Sequence, residues 1–231
     1  MSYNISTMYI WKFFNENCVC PVCEIRKKMD ADISEMYLSE AVMENEERKK
    51  VNKYGFCKDH YDLLYLGTNK LGLALQMQTR VKTIKSFIKE YTDVKKAQKH
   101  AKKIKERLNT CVICNTLNFN MERYYETIAR LYKDDERFRT VAFKSIHGFC
   151  YNDYLNLINY AHKAGKFSSE FLAELHSKQL SSTNDLLKQL SDFTMAFDYR
   201  AKSLPSKSAS LSLKLTRVKT YGDKTNLPER K

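Results

Sequence analysis

Apolar residues recur every three or four positions along most of this chain, which is the period of a helix with one buried face. Between residues 73 and 111 such a stripe runs without a Gly or Pro, and it predicts either one long helix or two helices with a break near Thr92-Asp93. A second stripe follows Gly165, where Ser168 or Ser169 is a plausible N-cap. Shorter stripes follow two Cys-x-x-Cys pairs, at Met29, Ile33, Met36, Tyr37 and Ala41, and at Met121, Tyr124, Tyr125, Ile128, Leu131 and Tyr132.

The composition agrees with helices. The 231 residues include only three prolines and six glycines, too few for the frequent turns of an all-β protein. No apolar run approaches the roughly 18 residues of a membrane span, and the N-terminus lacks the features of a signal peptide. The expected class is therefore an all-α protein of the cytoplasm, where thiols stay reduced.

Six of the seven cysteines belong to an internal repeat. A Cys-x-x-Cys pair is followed by Gly-Phe-Cys in each half, and the second set repeats the first at an offset of roughly ninety residues. The repeat predicts two tandem helical units over residues 1–109 and 110–202, each stapled by a metal site, followed by a basic tail over 203–231.

The spacing of these residues is typical of zinc ligands. A Cys-x-x-Cys turn supplies two thiolates, and two more donors complete a tetrahedron. Pairing each turn with the Gly-Phe-Cys motif that follows it predicts a first site at Cys20, Cys23, Cys57 and His60. The same rule predicts a second site at Cys111, Cys114, Cys150 and Asp153.

The fourth ligand of the second site is open at this stage, because Asp153 stands where the first set has a histidine. His147, His162 and a water molecule are the alternatives to Asp153. A closed set of four protein donors indicates structural rather than catalytic zinc. A redox Cys-x-x-Cys pair and an iron–sulfur cluster are the competing interpretations, and Cys18 is left as a spare or packing thiol.

The net charge of +13 comes from two segments. Residues 95–107 contain seven basic residues and one acidic, on the polar side of the predicted helix. Such a face can bind nucleic-acid phosphates, here through Lys95, Lys99, Lys102 and Lys103, although a plain solvated helix surface is the simpler interpretation. The basic tail is predicted to be disordered or to form one short strand or helix near Leu211 to Val218.

The tandem Cys-x-x-Cys, helix and Gly-Phe-Cys-x-x-His units resemble a bacterial family with a domain of unknown function. The resemblance extends from Cys20 to about Arg200, and it includes the motifs Leu71-Gly72-Leu73-Ala74 and Phe197-Asp198-Tyr199-Arg200. Many members keep a histidine at the position of Asp153, and the tail after Arg200 also departs from the family pattern. The resemblance implies a helical, metal-binding cytosolic protein and no particular activity.

No phosphate loop, zinc-protease motif or nucleophile elbow is present in the sequence. The sequence therefore favours a non-catalytic, zinc-stabilised helical scaffold that binds an unidentified protein or nucleic acid partner, with no membrane and no evident small-molecule substrate. The alternative is a cytosolic thiol-redox or metal-responsive protein that uses the same Cys-x-x-Cys pairs.

Overall fold

The computed structural model describes residues 5–197 and 205–223. Throughout these residues the secondary structure consists of helices and connecting turns, without a strand, and the all-α prediction is confirmed. Within the same residues, no helix combines the length and the apolar composition needed to cross a bilayer.

The chain folds as two compact units. One, the central unit, comprises Lys28–Asn120, and the other, the split unit, comprises the described residues on either side of it. This division differs from the predicted segments 1–109 and 110–202. The reason lies in the second Cys-x-x-Cys turn, whose backbone is hydrogen-bonded to the first Gly-Phe-Cys turn and therefore belongs to the central unit.

The central unit contains helices from the first half of the sequence. They are the later part of α2 (Pro21–Leu38), a 3₁₀ turn at Glu40–Val42, α3 (Asn45–Tyr54), α4 (Lys58–Leu66), α5 (Lys70–Lys85), α6 (Val94–Leu108) and the start of α7 (Val112–Asp134). Their core is built around Tyr37, which is 1% exposed and meets Phe56 edge to face at a ring-centroid distance of 5.8 Å. Val51, Leu64 and Ile113 are also buried in this unit.

The turn between α3 and α4 depends on a glycine and a buried arginine. Gly55 ends α3 at φ +65°, and a Cβ added there would lie 2.8 Å from Nε of Arg80. The guanidinium of Arg80 donates to the carbonyl oxygens of Asn52, Lys53 and Arg107. These bonds satisfy the orphan carbonyls at the ends of α3 and α6, so this one side chain fixes the turn that carries Cys57.

The long stripe between residues 73 and 111 forms two helices, as one of the two sequence-based alternatives proposed. Asp93 caps α6, its carboxylate accepting a hydrogen bond of 2.9 Å from the backbone N–H of Lys96. An aspartate at the N-cap begins a new helix because it satisfies an otherwise free N–H group. Consequently, α6 is a separate helix, and it contributes no buried residue to the core.

The split unit contains α1 (Ile5–Phe14), the start of α2, most of α7, a π turn at Phe138–Ala142, α8 (Phe143–Ser145), α9 (Tyr151–Tyr160), a 3₁₀ segment at Ala161–Phe167, α10 (Ser168–Met195) and α11 (Lys207–Tyr221). Its core is an aromatic cluster whose ring centroids lie 5.0–6.3 Å apart. The members are Phe14, Tyr132, Phe138, Phe143, Phe149 and Phe171. Edge-on and tilted contacts of this kind each stabilise a core by about 0.5–1.5 kcal/mol beyond the area they bury.

The C-terminal part is more ordered than the sequence suggested. Helix α11 is longer than the predicted segment Leu211 to Val218, and its N-cap is Ser206, whose hydroxyl accepts from the N–H of Ala209. The predicted cap of α10 shifts by one residue, because Ser168 is its first helical residue and Phe167 occupies the N-cap. The family-like residues 198–200 lie outside the described part of the chain.

Candidate metal centres

All eight predicted ligands occur in the same local structure, a cysteine at the N-cap of a helix and a second donor three residues later. In each case the carbonyl oxygen of the first cysteine accepts from the N–H group four residues on, which marks the start of the helix. N-cap and N3 side chains lie on the same face, as in a capping box. The positive end of the helix also favours thiolate at these positions. The pairs are Cys20/Cys23 on α2, Cys57/His60 on α4, Cys111/Cys114 on α7 and Cys150/Asp153 on α9.

The central cluster lies where α4 and α7 begin, inside the central unit. It consists of Cys57, His60, Cys111 and Cys114, whose donor atoms all lie within 4.8 Å of one another. Nδ1 of His60 is 3.1 Å from Sγ of Cys57, 3.4 Å from Cys111 and 3.3 Å from Cys114. The Sγ atoms of Cys57 and Cys114 are 3.8 Å apart.

A carboxylate on the side away from the sulfurs orients the imidazole of the central cluster. Nε2 of His60 is 2.8 Å from Oδ1 of Asp30, a buried carboxylate on α2. With Nε2 donating its proton to Asp30, Nδ1 is left to face the three sulfurs. A carboxylate behind a histidine is the common second layer of a metal site, because it fixes the tautomer and makes the ligand more basic.

The outer cluster lies where α2 and α9 begin, inside the split unit, and all four of its residues are buried. It consists of Cys20, Cys23, Cys150 and Asp153. Oδ2 of Asp153 is 3.4 Å from Sγ of Cys20, 3.3 Å from Cys23 and 3.0 Å from Cys150. The carboxylate thus occupies the position that the imidazole occupies in the central cluster.

The second oxygen of Asp153 is held by two donors. Oδ1 accepts from the hydroxyl of Tyr125 and, at 3.3 Å, from the guanidinium of Arg26. The tyrosine hydroxyl itself accepts from Asn156 at 3.1 Å. These bonds turn one oxygen toward the sulfurs and leave a single donor atom for a metal.

Burial and the neighbouring ligands shift the pKa values of the outer-cluster side chains. Burial, together with hydrogen bonds from the neighbouring cysteines, raises the pKa of Cys20 well above its usual range. Hydrogen bonds from Cys20 and Cys23 lower the pKa of Cys150, so one sulfur holds the charge of the outer cluster. Burial and the adjacent Cys150 raise the pKa of Asp153.

The central cluster behaves in the same way. Its neighbour Cys114 and then His60 lower the pKa of Cys111, whereas Cys111 and burial raise the pKa of Cys114. Burial opposes the charge on His60, but its bonds to Asp30 and Cys111 outweigh burial and raise its pKa to about 11. A divalent cation at this position would displace these protons and neutralise the charge of the thiolates.

The predicted ligand pairing is wrong, although the eight residues are the predicted ones. The Cys-x-x-Cys turn of each half meets the Gly-Phe-Cys motif of the other half, so Cys57 and His60 join Cys111 and Cys114. The N–H of Val112 donates to the carbonyl of Gly55 at 2.9 Å, which fixes this exchange. In the sequence the central cluster is therefore nested inside the outer one.

The remaining candidates lie outside both clusters. His147 is exposed and lines a cavity of about 330 Å³, together with Cys18. His162 faces the carbonyl of Asn159. The fourth residue of the outer cluster is Asp153, as first predicted. The sequence analysis missed Asp30, Arg26 and Tyr125, which form hydrogen bonds to His60 or Asp153. These contacts depend on tertiary structure, and no spacing in the sequence indicates them.

Both clusters have the size and chemistry of a tetrahedral metal site. Zinc–sulfur bonds of about 2.3 Å and zinc–nitrogen or zinc–oxygen bonds of about 2.0 Å place neighbouring donors roughly 3.5–3.8 Å apart. The separations of 3.0–3.8 Å are close to these values. The two clusters could therefore each hold one metal ion, with four protein donors and no open position.

The basic residues of α6 are not part of either cluster. The side chains of Lys95, Lys99, Lys102 and Lys103 are all exposed. Within the described residues no ion pair involves any basic side chain of α6.

Comparison with known proteins gives a family and no function. A family model described as a family of unknown function, DUF6062, matches residues 1–226, and the chain belongs to that family. No curated protein and no solved structure was found to match.

Proposed function

We propose that this protein is a non-catalytic, cytosolic helical scaffold that holds two zinc ions and binds a nucleic acid through α6. The observation that carries the proposal is the closure of both clusters, each with four convergent protein donors. A catalytic zinc site keeps a position for water or substrate, whereas a structural site fills all four.

Zinc is the metal that the donor sets favour. Three sulfurs with one imidazole, or with one carboxylate, in a compact tetrahedron suit Zn²⁺, while Mg²⁺ and Ca²⁺ prefer six or more oxygen ligands. An iron–sulfur cluster is normally held by four cysteines, and each cluster here offers three. Because structural zinc adds its binding free energy to folding, the metal would hold each unit together.

The two sites act on chain segments of different length. His60 and Cys111 are 51 positions apart, and Cys23 and Asp153 are 130 positions apart. Loop-closure entropy grows with the logarithm of length, so the outer connection restricts the unfolded chain by about 0.8 kcal/mol more than the central one. Both connections join segments that are distant in sequence, as a structural cross-link does and a redox-active dithiol need not do.

The partner surface rests on the charge and exposure of α6. Lys95, Lys99 and Lys103 follow one another at four-residue steps, or about 6 Å along the helix axis. Along the duplex axis the phosphates of one DNA strand advance by about 3.4 Å each, so the lysine spacing is close to that of every second phosphate. A row of unpaired ammonium groups at this pitch supports contact with the backbone of a nucleic acid rather than with its bases.

Thiol-redox activity is the competing function. A dithiol that cycles to a disulfide needs no third cysteine and no fourth donor, yet both clusters supply them. The dedicated contact of Asp30 with His60 likewise supports a ligand role. These features favour metal over redox chemistry.

Two measurements test the proposal. Elemental analysis of protein purified without chelator is expected to give about two zinc ions per chain. Little or no metal in folded protein with readily oxidised thiols would instead support the redox function.

The second measurement concerns nucleic acid. Fluorescence anisotropy with random-sequence duplex DNA, over a range of salt, should show binding that weakens steeply with salt. Changing Lys95, Lys99, Lys102 and Lys103 to Gln should reduce the slope of log K against log salt by about 3 to 4. The matched control changes Lys166, Lys188, Lys207 and Lys214 to Gln, with the same loss of charge elsewhere. Equal effects of the two variants would contradict a specific role of α6.

A further inference from the structure

The C-terminal helix lies against the outer cluster and contributes three features to it. Helix α11 ends at Gly222, and the N–H of the next residue, Asp223, donates to Sγ of Cys23 at 3.4 Å. A Cβ at Gly222 would lie 3.7 Å from the sulfurs of both Cys23 and Cys150. The backbone of this turn thus covers two of the three thiols.

Gly222 permits this close approach. Its φ of +75° is in the region that residues with a Cβ rarely adopt. Its N–H donates to the carbonyl of Val218 at 2.9 Å, which ends the helix and turns the chain toward the sulfurs. The following Asp223 forms ion pairs with Lys27 on α2 and with Arg217 on α11, so the turn is fixed at both sides.

The third feature is a buried ammonium group. Lys219 is only 7% exposed, and its Nζ donates to the carbonyl of Phe149 at 3.2 Å, next to Cys150. Burial lowers the pKa of Lys219, and the nearby Cys20, Cys150 and Cys23 oppose that shift in part. Gly148 has φ +137°, and a Cβ there would lie 3.0 Å from Cβ of Ser182 and 3.3 Å from Nζ of Lys219, so both α10 and α11 pack closely on this glycine.

The charges explain why a lysine is buried there. Three thiolates and one carboxylate around a divalent cation leave two negative charges in excess, and within the described residues Arg26 and Lys219 supply two positive ones. Hydrogen bonds and charges in the second layer commonly change metal affinity by roughly 10–100-fold. The central cluster has no counterpart of this cover within the described residues of its unit.

We infer that α11 is the cover of the outer metal site, with Lys219 as its positioning residue, so that metal binding at this site and docking of α11 stabilise each other. The inference rests on the proposed metal binding. Coupling between two events is reciprocal, so docking of α11 raises the metal affinity by the same factor by which bound metal favours docking. The ion would therefore govern whether the C-terminal segment is docked or free.

The first arm of the test measures metal affinity. The full-length protein is loaded with Co²⁺ or Zn²⁺ and titrated with a chromophoric chelator, with the central site as internal reference. Lys219→Met is expected to weaken the outer site 10–100-fold and to leave the central site unchanged. Lys214→Met, an exposed position on the same helix, is the matched control and should change neither site.

The second arm measures docking. Trypsin cleaves after the basic residues of α11, and this cleavage should be slow in the metal-loaded protein. In Asp153→Asn, with zinc retained at the central site, cleavage within α11 should accelerate, by up to the factor that Lys219→Met removes from the outer affinity. Equal outer affinity in Lys219→Met and unmodified protein, or unchanged cleavage in Asp153→Asn, would overturn the inference. Unmodified protein that binds no metal would instead refute the proposed function.

Discussion

The buried carboxylate of Asp30 allows the central metal site to be weakened without touching a ligand. Its Oδ1 lies 2.8 Å from Nε2 of His60, and both side chains are largely buried. Asp30→Asn keeps an oxygen of similar size at the same place but removes the charge that makes the imidazole a better ligand. The helix carrying Asp30 and the shape of the core should remain as they are.

The size of the effect follows from the role of such partners. Loss of a second-layer carboxylate costs roughly 10–100-fold in metal affinity, or about 1.4–2.7 kcal/mol. For Asp30→Asn the lower end applies, because an acceptor oxygen remains for the N–H of His60. Asp30→Ala removes the acceptor as well and leaves a small void, so its effect should approach the upper end.

A competition titration with a chromophoric chelator measures this effect on both sites of the same molecule. The outer site serves as the reference, because none of its ligands contacts Asp30. Asp32→Asn is the matched control, since Asp32 lies two residues after Asp30 on α2 and forms an ion pair with Lys28. An unchanged central affinity in Asp30→Asn, or an equal loss at both sites, would refute this account of how His60 is held.

Three further predictions follow from the same geometry. Gly55→Ala should lower the free energy of unfolding by about 2 kcal/mol in denaturant titrations, because Gly55 has a positive φ and an added Cβ would collide with Arg80. Gly165→Ala should cost less, since only the flexible side chain of Lys133 lies near the added Cβ. Asp153→Asn should weaken the outer site, whereas His147→Ala should not, in the same chelator titration; the opposite order would show that the carboxylate is not the ligand. Because burial and neighbouring thiols raise the pKa values of Cys20, Cys23 and Cys114, zinc binding should release protons and its apparent affinity should fall as pH falls. Calorimetry in buffers of different ionisation enthalpy measures this release, and a pH-independent affinity would contradict it.

The helical class and the helix break could be predicted from the sequence because they depend on local chemistry. Few glycines and prolines, together with apolar steps of three and four, leave helices as the structure that buries the pattern. The break before α6 also has a local cause, the capping carboxylate of Asp93. For the same reason the ligand pairs could be recognised, since each is an N-cap and N3 pair within four residues of sequence.

The pairing of the ligands could not be predicted in this way. Four local pairs with the same geometry can combine either within each half or between halves, and both choices satisfy the spacing. The choice is made by tertiary hydrogen bonds, from Val112 N–H to the carbonyl of Gly55 and from the hydroxyl of Thr110 to the carbonyl of Tyr54 at 2.7 Å. Both bonds end on backbone carbonyl groups, which every residue carries, so the sequence does not indicate which residues are paired.

The C-terminal helix was one of the predicted alternatives near Leu211 to Val218, but its full length and its burial could not be predicted, for a different reason. Its sequence is rich in serine and lysine, which suggests a solvated tail. Its buried face is small and is made by Ala209, Ser212, Val218 and Lys219. A buried lysine is accounted for only by the anionic cluster beneath it, which the sequence alone does not place there.

The exchanged pairing is the central claim, and metal stoichiometry in two double variants tests it most directly. Cys20→Ser with Cys150→Ser removes two ligands from the outer site alone, whereas Cys20→Ser with Cys57→Ser removes one from each site. Elemental analysis under reducing conditions, after dialysis against a weak chelator, should give about one zinc ion per chain for the first variant and close to none for the second. The reverse result, with one ion retained by Cys20→Ser/Cys57→Ser and none by Cys20→Ser/Cys150→Ser, would show that each site is built within one half of the sequence and would contradict the structure described above.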